Sequence, residues 1–201
     1  MKILITGGFL GSGKTRLLTH IIRYLKQKLP PVPNNVVIIE NEIGASGVDD
    51  QTLSTAGYQI EKMFSGCACC SLSGQLIASL KRLEEELQPE YILLEATGMA
   101  TLANIKSSIE EHSEWEVKVL CIVDAMRWKK LSKSLVSELL YNQLSGADII
   151  IINKIELCES KQVKDTLRSV RNYNTTANMI QLSAAKEKLD DSILGMIVEV
   201  E

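Results

Sequence analysis

The stretch Lys2-Ile-Leu-Ile-Thr-Gly-Gly-Phe-Leu-Gly-Ser-Gly-Lys-Thr15 indicates the fold class, because an apolar run leads directly into a glycine-rich loop. From Gly8 to Thr15 the loop matches G-x-x-x-x-G-K-[ST], and residues at helical spacing follow it. A strand, such a loop and a helix in this order turn backbone N–H groups toward a phosphate at a helix N-terminus. We therefore expect a nucleotide cradle lined by Gly8, Gly11, Ser12 and Gly13, with Lys14 on the β- and γ-phosphates and the Thr15 hydroxyl on Mg²⁺.

Further short apolar runs predict the rest of a sheet. They are continuous rather than alternating, which is typical of parallel strands covered by helices on both faces. Segments with helical spacing lie between them, so the fold class is α/β, a doubly wound, mostly parallel sheet of the P-loop NTPase type. The residues from Glu187 onward suffice for one closing helix. The predicted strands are Ile3 to Ile5, Val36 to Ile39, Tyr91 to Leu94, Val119 to Val123, Ile149 to Ile152 and, more weakly, Met179 to Leu182.

Composition bounds the class of protein. The chain has 201 residues, of which 45% are hydrophobic and 23% charged, so we expect one folded domain over residues 1–201. Its net charge of -3 argues against a nucleic-acid or membrane-surface partner. No apolar run approaches the roughly 18 residues of a membrane helix, and the chain starts with a strand rather than a secretory signal. A cytoplasmic location is expected. The basic segment Arg127-Trp-Lys-Lys130 with Lys133 is interpreted as an exposed helix start.

An acidic residue and a glycine follow a predicted buried strand, in Leu93-Leu94-Glu95-Ala96-Thr97-Gly98. Ligands of open α/β sheets bind at the carboxyl ends of the strands. Glu95 would hold Mg²⁺ or position water, and the Gly98 N–H would meet the γ-phosphate, the two tasks that hydrolysis requires beyond the cradle.

The base side of the site is predicted by Asn153-Lys154-Ile155-Glu156, which is close to the guanine-recognition element N-K-x-D. A carboxylate there accepts two hydrogen bonds that guanine donates and adenine cannot. Glu156 provides this carboxylate, so guanine is favoured. Because its side chain is one methylene longer than that of Asp, the choice between GTP and ATP stays open. Ser183 and Ala184, in Ser183-Ala-Ala-Lys186, resemble a loop that supports the base.

Three of the five cysteines, Cys67, Cys69 and Cys70, lie within four residues and offer soft thiolates to Zn²⁺ or a similar transition metal. A fourth ligand must come from elsewhere or be water. The isolated Cys121 and Cys158 are interpreted as small buried hydrophobes.

Together these motifs resemble the CobW-like metal-trafficking group of SIMIBI-class P-loop GTPases, relatives of the urease and hydrogenase nickel accessory GTPases. The ordered set is residues 7–15, Asn41-Glu42-Ile-Gly44 with Asp49, Gly66-Cys-Ala-Cys-Cys70, Glu95-x-x-Gly98 and Asn153-Lys154. The resemblance implies that Glu42 is the first candidate for the fourth metal ligand. His112, in the acidic segment Glu110-Glu-His-Ser-Glu114, is a weaker candidate. The resemblance also implies that Asp49 and Gly98 sense the nucleotide state.

The function implied is that of a GTP-hydrolysing metallochaperone or insertase, expected to be a slow enzyme. It would deliver zinc, cobalt or a similar metal to a client metalloprotein or a cofactor-biosynthesis partner. A GTP-dependent homodimer is expected, and the C-terminal domain of typical relatives is expected to be absent. Two alternatives remain: a small-molecule P-loop kinase, and a non-enzymatic nucleotide-gated metal sensor or buffer.

Overall fold

One sheet of parallel strands organises the part of the chain that the computed structural model describes, residues 1–40, 59–62, 72–98, 100–134 and 136–199. The strands are β1 Lys2–Gly8, β2 Val36–Glu40, β3 Gln59–Lys62, β4 Tyr91–Glu95, β5 Glu116–Asp124, β6 Ile149–Asn153 and β7 Asn178–Gln181. Their order across the sheet is β3-β2-β4-β1-β5-β6-β7, and every pair is parallel.

Helices cover both faces of this sheet. They are α1 Lys14–Lys28, α2 Leu72–Leu87, α3 Leu102–Glu110, α4 Ala125–Leu131, α5 Ser137–Leu144, α6 Ser160–Arg171 and α7 Asp191–Val198, with a short 3₁₀ turn at Ile155–Leu157. Among the described residues no helix is long and apolar enough to cross a membrane.

The two apolar cores follow from the alternation of side chains along each strand. Ile3 and Ile5 of β1 pack into the core formed with α2, α3, α4, α5 and α6, whereas Leu4 packs into the core formed with α1 and α7. Both faces of the central strands are therefore buried, which explains why these strands are continuous apolar runs in the sequence. The predicted doubly wound α/β fold is confirmed.

All six predicted strands are present, and the structure adds a seventh, β3. Its sequence, Gln59-Ile-Glu-Lys62, contains a single apolar residue, so no apolar run marks it. Helix α1 ends at Lys28, before Pro30, and the closing helix is α7. The basic segment lies on and just after α4, as expected, although Trp128 is buried rather than exposed.

The register of the central strands gathers polar residues at one edge. Thr6 pairs with Glu95 of β4, and Asp124 at the end of β5 pairs with Asn153 at the end of β6. Because all strands are parallel, these carboxyl ends lie beside the loop that leaves β1.

Candidate functional site

The loop between β1 and α1, residues 8–15, is called the phosphate loop here. Gly8, Gly11 and Gly13 have φ angles of 132°, 75° and 103°, which L side chains rarely adopt. A Cβ at Gly8 would overlap the carbonyl oxygen of Ile122, and one at Gly13 would overlap the Asn153 amide. Glycine is therefore required on both conformational and steric grounds, and the loop has the winding that turns backbone N–H groups inward.

Within the phosphate loop, the Lys14 side chain extends toward Gly8 and Glu95. Its Nζ donates to the carbonyl oxygen of Gly8 at 3.0 Å and lies 4.0 Å from Glu95 Oε1. The Ser12 hydroxyl is buried and has no hydrogen-bond partner within the described residues. An orphaned buried hydroxyl is costly. Its presence beside three wound glycines fits a loop built for an anionic group.

The residues after β4, residues 96–98 and 100, are called the β4 loop. Ala96 donates to the Thr6 carbonyl at 2.8 Å, so the loop leaves the sheet beside β1. A Cβ on Gly98 would lie 3.5 Å from the Gly8 carbonyl oxygen and 3.8 Å from the Leu10 nitrogen. The structure thus brings Glu95 and Gly98 against the phosphate loop, where the sequence placed them.

Asn153 joins the phosphate loop to the predicted base-side loop, residues 183–186. Its Nδ2 donates to the Ser12 carbonyl at 2.8 Å, and its Oδ1 accepts from the Ala184 N–H at 2.8 Å. From α1, Arg16 donates to the carbonyls of Ala184 and Ala185, and His20 Nε2 lies 3.1 Å from the Ala184 carbonyl oxygen. The two loops are therefore joined by hydrogen bonds, of which those of Asn153 and His20 are buried.

A buried carboxylate that sequence reasoning missed, Asp124, holds the outer side of the phosphate loop. Its side chain is 1% exposed and receives Lys154 Nζ at 2.7 Å and Arg127 Nε at 3.0 Å. Lys154 also donates to the Gly11 carbonyl at 2.6 Å, and Arg127 donates to the Leu10 carbonyl. The sequence does contain a signal for Asp124, because this residue follows an apolar run just as Glu95 does.

Gln143 of α5 is a second residue that the sequence did not reveal. It is 1% exposed, and its amide bonds both the Gly8 N–H and carbonyls of the β4 loop. No local pattern marks it, since its partners are 43 to 135 residues away.

On the base side, Lys154 adopts a left-handed φ of 63°, and Glu156 is exposed in the 3₁₀ turn after it. Ser183 and Ala184 are both buried. Thr15 is exposed at the start of α1. Each of these residues thus lies at the same edge of the sheet as the phosphate loop.

The predicted transition-metal ligands Cys67, Cys69, Cys70 and Glu42 lie outside the described residues, as does Asp49. His112 is described and exposed, with Nδ1 2.8 Å from the Ser108 carbonyl oxygen.

Cys121 and Cys158 are both free thiols. Burial raises the pKa of the Cys121 thiol to about 12, against a smaller opposing effect of the Lys14 charge. Burial, with the Asp124 and Glu156 charges, also raises the pKa of Cys158. Raised pKa values favour the neutral thiol of both cysteines at neutral pH, which agrees with their interpretation as packing residues. Cys158 is only partly buried, however.

A parallel sheet whose central strand passes through a glycine-rich loop into a helix, with polar side chains at its carboxyl edge, defines the P-loop NTPase class. A family model described as CobW/HypB/UreG, nucleotide-binding domain matches residues 2–181, and the chain belongs to this family. The resemblance noted from the sequence motifs is thereby confirmed.

Curated relatives and solved structures agree with this assignment. The zinc chaperone YjiA of Escherichia coli strain K12 is 28% identical over 182 residues, covering 85% of this chain and 54% of that protein. Zinc-regulated GTPase metalloprotein activator 1 of Schizosaccharomyces pombe is 26% identical over 202 residues, covering 95% and 47%. The chain thus spans about half the length of these relatives. The hydrogenase maturation factor HypB of Archaeoglobus fulgidus shares the fold, with a TM-score of 0.70 at 16% identity over 98% of this chain and 88% of that one.

Proposed function

We propose that the chain is a GTP-binding and GTP-hydrolysing switch that couples its nucleotide state to a bound transition metal. One observation carries the nucleotide part: the phosphate loop has three glycines at positive φ and a buried Ser12 hydroxyl without a partner in the described part of the chain, and Asn153 ties it to the base-side loop. Phosphate oxygens would accept hydrogen bonds from the N–H groups of residues 11–15 and from Lys14 Nζ.

Guanine is the base we propose. Asn153 and Ala184 fix the two loops on either side, and the exposed Glu156 carboxylate would accept from the guanine N1–H and amino group. The Lys154 stem would lie along the base, because its ammonium is held by Asp124 and Gly11. Ser183 would complete the base-side wall.

The chemistry of the site suits hydrolysis with Mg²⁺. A hydroxyl and a carboxylate are oxygen ligands of the kind that Mg²⁺ prefers. Thr15 in the first turn of α1 and Glu95 at the end of β4 provide them. When bound, the metal would neutralise charge that develops on the phosphates. Lys14 would do the same from its position beside Glu95, while Gly98 and Asp49 would register whether a γ-phosphate is present.

For the metal we propose Cys67, Cys69 and Cys70 with Glu42 as ligands and zinc as the first metal to test. Two considerations support this proposal: three thiolates within four residues suit Zn²⁺, and the two curated relatives compared above are named a zinc chaperone and a zinc-regulated GTPase metalloprotein activator. Metal would pass to a client metalloprotein, and a GTP-dependent homodimer would be the transferring form. Turnover would be slow, as befits a switch.

The nucleotide proposal is tested by binding and by single turnover. Wild type should bind GTP in preference to ATP and release free phosphate without a phosphorylated acceptor, whereas Glu95→Gln should bind GTP and release phosphate more slowly. Equal affinity for ATP would overturn the guanine assignment. A phosphorylated small molecule would identify a kinase instead, and an unchanged rate in Glu95→Gln would remove that residue from the reaction.

The metal proposal is tested by elemental analysis of protein purified without added metal. Wild type should contain more zinc than Cys67→Ser, Cys69→Ser and Cys70→Ser, while Cys158→Ser serves as the matched control and should retain it. Equal metal content in all five proteins would exclude the cluster as the site.

A further inference from the structure

Gln143 forms hydrogen bonds to two loops of the site from a buried position. Its Oε1 accepts from the Gly8 N–H at 2.6 Å, and its Nε2 donates to the Ala100 carbonyl at 2.6 Å and to the Thr97 carbonyl at 3.3 Å. All of these partners are backbone groups, and none belongs to the helix α5 that carries Gln143. The amide is thus satisfied entirely by the phosphate loop and the β4 loop.

The partners of Gln143 lie at the points where these two loops approach each other. Gly8 is also the residue whose carbonyl accepts from Lys14, so both its N–H and its carbonyl have side-chain partners. Thr97 and Ala100 flank Gly98, whose Cα faces the Gly8 carbonyl closely enough that a Cβ would lie 3.5 Å from it. One amide therefore holds both walls of the space between the phosphate loop and Gly98.

The position of this space gives the contacts a functional meaning. A diphosphate needs only the phosphate loop, whereas a γ-phosphate extends beyond it toward the residues after β4. The separation of the two walls consequently matters for a triphosphate and much less for a diphosphate. Since the side chain is 1% exposed, Gln143 acts through the loops and does not touch the nucleotide.

We propose that Gln143 is a positioning residue that sets the separation between the phosphate loop and Gly98 and so enables the protein to distinguish a nucleoside triphosphate from a diphosphate. The inference rests on the proposed nucleotide function. It concerns Gln143 of α5, which lies outside the motifs described above.

Two substitutions separate the halves of this contact. Gln143→Glu keeps an acceptor for the Gly8 N–H but turns an oxygen instead of an N–H toward the Thr97 and Ala100 carbonyls. Gln143→Met is similar in size and removes both halves. Gln162→Glu is the matched control, because Gln162 also donates its Nε2 to two carbonyls, those of Ala125 and Met126, away from the β4 loop.

The experiment measures the affinities of GDP and of a non-hydrolysable GTP analogue for wild type and these three variants, with the Tm of each. We expect both Gln143 variants to lose about tenfold more affinity for the analogue than for GDP, equivalent to about 1.4 kcal/mol. Gln162→Glu should keep the wild-type ratio of the two affinities. A purely structural role would lower Tm and weaken both nucleotides equally, so the ratio separates the two roles.

Hydrogen exchange of the nucleotide-free protein tests the contact itself. The Gly8 amide should exchange faster in Gln143→Met than in wild type, because its acceptor is lost. In Gln143→Glu the acceptor remains, so exchange should also be slower than in Gln143→Met. Wild-type affinity ratios in both Gln143 variants would overturn the inference and leave the nucleotide function intact. Failure of wild type to bind GTP or its analogue would instead overturn the proposed function and, with it, this inference.

Discussion

Replacing Asn153 by alanine should uncouple the two halves of the nucleotide site. Its two hydrogen bonds, to the Ser12 carbonyl and from the Ala184 N–H, are each 2.8 Å long, and the side chain is 2% exposed. A buried hydrogen bond contributes about 0.5–1.5 kcal/mol net, and each buried group left without a partner costs about 1–3 kcal/mol. With water able to enter the small space, we expect the free energy of unfolding to fall by about 2–4 kcal/mol.

Asn174 offers a control of the same residue type and burial. It is 5% exposed, its Nδ2 donates to the carbonyls of Leu144 and Ala147, and its Oδ1 accepts from the N–H groups of Thr176 and Ala177. These contacts lie at the amino ends of β6 and β7, across the sheet from the phosphate loop. Because Asn174 forms more hydrogen bonds than Asn153, Asn174→Ala should destabilise the protein at least as much as Asn153→Ala.

The two variants should differ in nucleotide binding. Urea unfolding gives the stability of each, and titration with a fluorescent GDP analogue gives the affinity. Asn153→Ala should bind about tenfold more weakly or worse, a loss of about 1.4 kcal/mol or more, while folded Asn174→Ala binds as wild type does. Equal affinities in the two variants would show that the contact between the two loops does not affect nucleotide binding.

Three further outcomes are expected. Gly8→Ala should lower the free energy of unfolding by about 3–5 kcal/mol in urea, because a Cβ at φ 132° is strained and meets the Ile122 carbonyl; a loss below about 1 kcal/mol would show that the backbone moves aside at little cost. Raising the pH from 8 to 10 should cost wild type about 1.4 kcal/mol more than Cys121→Ala, since the pKa of this thiol rises from 9.0 to about 12 on folding and only the unfolded chain ionises in that window. Identical pH dependences in chemical unfolding would contradict the burial of an intact thiol. Asp148→Asn should cost about 1 kcal/mol or less, diminishing in high salt, because Lys106 Nζ lies 2.7 Å from a partly exposed carboxylate; a salt-independent loss would instead assign the effect to the hydrogen bond that Asp148 accepts from the Val119 N–H.

Much of the fold could be predicted from the sequence because burial on both faces leaves a direct mark on composition. Every residue from Ile149 to Ile152 is buried, so each of these positions is apolar. Among the described strands β3 lies at the edge of the sheet and pairs with β2 alone, and its Gln59-Ile-Glu-Lys62 carries no such mark. Strand formation there depends on backbone pairing with β2, for which the side chains give no local signal.

The same distinction separates the parts of the candidate site. Its phosphate loop could be predicted because glycine is required by local backbone geometry at Gly8, Gly11 and Gly13. The contacts of Gln143, and that of Arg127 with the Leu10 carbonyl, could not, because they join residues far apart in sequence, and glutamine or arginine on a helix is ordinarily a solvated residue. The placements of Glu42, Asp49 and the cysteine cluster stay predictions, since they lie outside the described residues.

The coupling of nucleotide state to bound metal is tested by a titration of GTP into metal-free protein and into protein loaded with Zn²⁺, in wild type and in Cys67→Ser. Coupling is reciprocal, so the factor by which zinc changes GTP affinity must equal the factor by which GTP changes zinc affinity. We expect a change of about fivefold or more in wild type and none in Cys67→Ser. Identical GTP affinities with and without zinc in wild type, together with identical hydrolysis rates, would contradict a nucleotide switch coupled to metal.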